Sequence, residues 1–179
     1  SYAHRDSAIG TGAPALIAFQ DELLAATDLL SAAGVDATFR WRPHPADLDR
    51  YVESTRAQHP SVELSRGKTS LAEDIDWADV VVTSVSTCIV EASLLGAPVF
   101  VHLVPEYDDA PLTAFVSEER AFFRAEELVS KLSAFLRRWQ IDADALAPEK
   151  QTRIALFGYY GEPVDLFDSL RNLMQLERL

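Results

Sequence analysis

The chain has 179 residues, with 16 Lys and Arg against 28 Asp and Glu, a formal charge of −12 and a sequence pI of about 4.6. Nucleic-acid affinity is built largely on cationic contacts and counterion release, and the far field here is repulsive, so no nucleic-acid partner is expected. With 48% hydrophobic and 25% charged residues, the composition is that of a globular chain with one core, and residues 1–179 read as a single domain.

In chain order, Ser1–Gly12 reads as a loop, and Ser1 with no charged-then-apolar leader after it suggests an excised fragment. Apolar positions from Ala15 to Leu30 fall at helical spacing between Pro14 and Gly34, which predicts a helix over about 14–33. Asp36–Trp41 is β-prone and is stopped by Pro43 and Pro45; Ala46–Gln58 carries helix formers. Val62–Leu64 reads as a short strand and Ser70–Trp77 as a short helix opened by a Ser70/Glu73 capping box. Asp79–Thr83 is a buried strand, Thr87–Leu95 a helix ending at Gly96, and Pro98–Leu103 another strand. A short strand at Ala121–Phe123, an amphipathic helix at Ala125–Trp139, a loop at Asp142–Gln151 and a terminal helix within 163–178 complete the pattern.

Near-continuous apolar strands separated by helices predict an α/β, Rossmann-like, doubly wound parallel sheet with helices on both faces. Such a sheet would begin with a strand, so the chain is expected to be truncated before its first strand, leaving a sheet neighbour unpaired. The longest apolar stretches, Ala78–Ser84 and Ala97–Val104, fall far short of the roughly 20 residues that cross a bilayer, so no membrane-spanning segment is expected. The lone Cys88 and the absence of CxxC or HExxH spacing argue against a disulfide scaffold or a familiar zinc site. A reducing, cytoplasmic setting follows, compatible with a peripheral place at an inner membrane.

The polar residues of interest follow predicted strands, where a doubly wound sheet opens its ligand crevice. Thr83-Ser84-Val85-Ser86-Thr87 joins a strand to a helix, so backbone N–H groups, the helix dipole and hydroxyls of Ser84, Ser86 and Thr87 could hold a phosphate. Ser86 as a plain N-cap explains the same residues. Arg42-Pro43-His44-Pro45 is a rigid turn from which His44 could donate to a phosphate oxygen and Arg42 add a charge-assisted bond; turn packing by His44 is the alternative. Glu91 lies in the apolar run CIVEASLLG, where a ribose diol, a basic partner or simple exposure would satisfy it. His4, His59 and His102 read as structural, and Gly10-Thr11-Gly12 lacks the spacing of a dinucleotide fingerprint.

RWRPHP followed by VVVTSVSTCIVEASLLGAPVFV resembles the C-terminal nucleotide-binding domain of GT-B glycosyltransferases. It is similar to bacterial enzymes of capsule and surface polysaccharide synthesis, including sialyl- and polysialyltransferases and CDP-glycerol polymerases. The resemblance implies a nucleotide-sugar donor of CMP, CDP or UDP type, with phosphate contacts from His44, Ser86, Thr87 and, less closely matched, Ser84. It further implies that Glu91 holds the ribose and that the stretch containing Arg66, Lys68 and Thr69 lies by the base. His44 is the expected catalytic residue, in a reaction that is inverting and needs no metal or other cofactor. A carbohydrate acceptor and catalytic base are expected from an N-terminal domain outside this chain. Two other readings stay open: half of a sugar-nucleotide 2-epimerase, which would need no acceptor, and a non-catalytic α/β interaction module.

Overall fold

A computed structural model describes residues 13–43, 49–65, 68–103, 116–143 and 152–157. Their elements are α1 (Ala13–Ala32), β1 (Ala37–Arg42), α2 (Asp49–Gln58), β2 (Glu63–Leu64), α3 (Leu71–Trp77) and β3 (Val80–Ser84). There follow α4 (Cys88–Leu94), β4 (Val99–His102), β5 (Ala121–Phe122), α5 (Ala125–Ala143) and β6 (Thr152–Phe157).

The strands form one six-stranded sheet in the order β2-β1-β6-β3-β4-β5, and every pairing is parallel. Strand alternation sends Phe39, Trp41, Val80, Val82, Phe100, Ile154 and Leu156 to one face, where α1, α2 and α5 cover them. On α5 the buried residues Ala125, Leu128, Leu132 and Leu136 make one helical stripe against that face. Val81, Val99, Val101 and Ala155 point to the other face and meet Ile75 of α3 and Cys88, Ile89 and Ala92 of α4. Helices on both faces of an all-parallel sheet make this an α/β, Rossmann-like fold.

Two helix ends show why the chain turns where it does. After α1, Val35 N donates to Leu30 O and Gly34 N to Ser31 O; after α4, Ala97 N donates to Ala92 O and Gly96 N to Ser93 O. These are paired Schellman closures, and each needs a left-handed residue, supplied by Gly34 and Gly96 at φ 77°. At the start of α3 the Ser70 hydroxyl accepts from Glu73 N while Glu73 accepts from Ser70 N, the reciprocal box read from the sequence.

The sequence reading needs correction at the centre of the sheet. No strand is expected at 152–157, yet β6 pairs along its full length with β1 and, over Val80–Thr83, with β3. β6 therefore joins β1 to β3 through the centre of the sheet. TRIALF is too short for periodicity to separate strand from helix, and only its fit between two other strands decides the matter. Helix α5 also runs on to Ala143, into the start of the loop expected over Asp142–Gln151. The expected loop at 1–12, the start of the helix expected at Ala46 and the terminal helix within 163–178 lie outside the described residues.

Candidate functional site at the strand carboxyl ends

β1 leads outward through α2, on the face covered by α1 and α5, whereas β3 leads outward in the opposite direction through α4 on the other face. β6 stands between these diverging connections, so the carboxyl ends of β1, β6 and β3 flank the topological switch point of the sheet. Register places Arg42, Phe157 and Thr83 in one row across the three strands, which sets Arg42 and Thr83 about 10 Å apart at their backbones. Arg42 and Thr83 lie on the α3/α4 face, opposite to Trp41 and Val82.

Arg42 is anchored rather than free-standing. Its Nη1 donates to Asp74 Oδ2 at 2.6 Å and to Thr69 O at 2.8 Å, while Thr69 Oγ1 donates to Asp74 Oδ1 at 2.6 Å. Arg40 adds a longer contact to Asp74 Oδ1 at 3.5 Å and a bond to Glu63 at 2.9 Å. The Asp74 side chain is fully buried, whereas that of Arg42 keeps 21% of its surface exposed. A carboxylate taken wholly from water holds its charge at low cost only when donors saturate it, and Asp74 receives them from two elements. Ser65 N donates to Trp41 O and Lys68 N to Ser65 O, which ties Lys68, and with it the adjoining Thr69, to the end of β1. Lys68 itself is exposed.

At the end of β3, Ser84 and Ser86 are buried, and Ser86 Oγ lies 3.2 Å from Thr83 Oγ1. The N-cap of α4 is Thr87, which makes no side-chain capping bond; the plain-cap reading of Ser86 is thus replaced by a hydroxyl pair with Thr83. Cys88 opens α4 in the same neighbourhood. Burial pushes its thiol up to about 12, the Glu91 carboxylate pushes the same way, and Arg42 and a hydrogen bond with Thr83 pull against them. The thiol is therefore protonated at neutral pH, a packing group rather than a nucleophile. Register thus brings Arg42 and Thr83 to the same end of the sheet, where Ser86 pairs with Thr83 and Cys88 opens α4.

Glu91 is exposed one turn into α4, which is the solvent-facing arrangement among those the sequence allows. The expected residues Arg42, Ser84, Ser86, Thr87 and Glu91 thus border the end of β1 or the β3–α4 connection, with Thr69 tied to Arg42. His44 and Arg66 lie outside the described residues. His102, at the end of β4, sets Nε2 3.1 Å from Phe123 O and packs on the Phe122 ring, the structural role read for it. The residue that sequence reasoning missed is Asp74. Its only sequence signal was Arg40 and Arg42 on the same side of one strand, a pair of cations in need of a shared anion.

Among the described residues, no group of three or more His, Cys, Asp or Glu side chains is placed to hold a metal ion, and no helix is long and apolar enough to cross a membrane. Compared with family models, curated proteins and solved structures, the chain matches none.

Proposed function

We propose that the chain is the donor nucleotide-binding half of a glycosyltransferase of surface or capsular polysaccharide synthesis. The observation that carries this reading is the convergence of Arg42 and the Thr83–Thr87 connection at the switch point of a parallel sheet, where doubly wound folds take nucleotides. In it the donor phosphates lie against the β3–α4 turn, near Ser84, Ser86 and Thr87, and Glu91 takes the ribose hydroxyls. Arg42, prealigned by Asp74, contributes positive charge beside that turn without the entropy loss of ordering a free side chain. His44, two residues beyond Arg42, donates to the phosphate of the departing nucleotide as the glycosyl bond breaks, so developing charge meets fixed donors and no metal is needed. The carbohydrate acceptor is presented by a second domain.

Calorimetry and thermal shift with CMP, CDP, UDP and GDP test the binding step, since a ligand of the native state raises the melting temperature by mass action. One nucleotide should bind, and Ser86→Ala should weaken it by about 1–3 kcal/mol. In the active enzyme, His44→Ala should lower turnover by about tenfold to a thousandfold with the fold intact. No binding by any of the four, or unchanged affinity in Ser86→Ala, removes the donor-site reading and leaves an α/β interaction module.

A further inference from the structure

The opposite end of the sheet carries a concavity. Arg120 directly precedes β5 and its carbonyl accepts from Val101 N at 2.9 Å, which locates it at the amino edge of the parallel strands. Between this edge and the later turns of α5 lies a cavity of about 260 Å³, bordered by Glu119, Arg120, Lys131, Arg138, Phe135 and Trp139, with Phe100 at its base. In a chain of 16 cations and 28 acids, this one hollow gathers three cations around a single carboxylate.

The groups are arranged as well as collected. The Phe135 and Trp139 rings are stacked at 27° with centroids 6.3 Å apart, and Phe100 meets Phe135 edge-on at 5.5 Å. Arg120 rests 5.5 Å over the Phe135 ring. Lys131 is pinned by Glu118 O at 2.8 Å and Ala121 O at 2.5 Å, which fixes its charge at the rim. Among the described residues, the Arg120 and Arg138 guanidinium groups have no hydrogen-bond or ion-pair partner, so two planar donors face a ring-lined hollow uncommitted. Rings alone would suit any apolar group and cations alone any anion; together they select a molecule that has both.

We infer that this cavity binds a small molecule made of one planar ring with an anionic substituent, the ring against Phe135 and Trp139 and the anion on Arg120 and Arg138. Its volume lies just below the roughly 300 Å³ at which ordinary ligand pockets begin, enough for one ring and too little for a nucleoside diphosphate. The site is separate from the residues at the strand carboxyl ends and does not depend on the function proposed for them.

Phenyl phosphate is the probe, titrated by calorimetry and by the fluorescence of Trp139, with inorganic phosphate and benzyl alcohol as its separate halves. Phenyl phosphate should bind saturably, each half at least about tenfold more weakly, and saturating CDP should leave the binding unchanged. Arg120→Gln and Arg138→Gln, both at solvent-reachable positions, should each weaken it by about tenfold without moving the melting temperature. No saturable binding, inorganic phosphate binding as well as phenyl phosphate, displacement by CDP, or full affinity in the Arg120→Gln/Arg138→Gln double variant would each overturn the inference.

Discussion

The two faces of the sheet are built on different principles. The face under α1, α2 and α5 buries large apolar side chains, among them Phe39, Trp41, Phe100, Leu132 and Leu156. The α3/α4 face has a smaller apolar cluster, and toward the strand carboxyl ends it gives way to the buried polar groups Asp74, Thr83 and Ser86. The first face depends on area removed from water, the second on every donor and acceptor finding its counterpart. Polar pairing is the more geometrically demanding of the two, and it is concentrated where the candidate site lies.

The largest expected effect is on the apolar face. Phe100 is 1% exposed and meets Phe135 edge-on, so Phe100→Ala should cost about 3–5 kcal/mol of stability in urea unfolding, through lost transfer energy and the cavity left behind. On the polar face, Asp74→Ala removes no large apolar surface, yet it should cost about 3 kcal/mol in the same measurement by stripping Arg42 and Thr69 of their acceptor. A loss below about 1 kcal/mol would show that solvent already screens the pair and that the two faces differ less than their geometry indicates.

The smallest effect, absent at neutral pH, distinguishes the faces by titration. The native Cys88 thiol is raised to about 12, above its unfolded value near 9, so the folded state holds that proton more tightly. The resulting stability is fully present below about pH 9 and is lost as the pH rises from there toward about 12. Unfolding of Cys88→Ala followed over this range should lack that component of the decline; an identical pH profile in wild type and variant would mean that the thiol titrates alike in both states.

Much of the fold was legible where the determinants are local. Gly34 and Gly96 stop their helices, and Ser70 and Glu73 start α3, through contacts spanning a few residues. The β-prone run DATFRW, stopped by Pro43 and Pro45, likewise reads as a strand. What escaped is non-local. Asp74 in LAEDIDW looks like an exposed helix acid, and only the arrival of β1 makes it the buried partner of Arg42. β6 escaped for the same reason, since its role depends on β1 and β3 being held apart to receive it. In the candidate site, the hydroxyl-rich turn could be read from sequence, but the pairing of Ser86 with Thr83 instead of with the helix start could not.

The central place of β6 has a kinetic consequence. Ala37 pairs with Thr152 and Val80 with Ile154, so the strand joining the two halves of the sheet comes from far along the chain. Until it is seated, β2-β1 and β3-β4-β5 are separate ribbons, each with an open edge where the other half belongs. Closing so long a loop consumes conformational entropy before the ladder returns it, which makes seating of β6 the natural slow step of folding and the interval of greatest exposure to aggregation. Trp41, directly opposite Leu156 in the ladder, lies where refolding fluorescence would register that step.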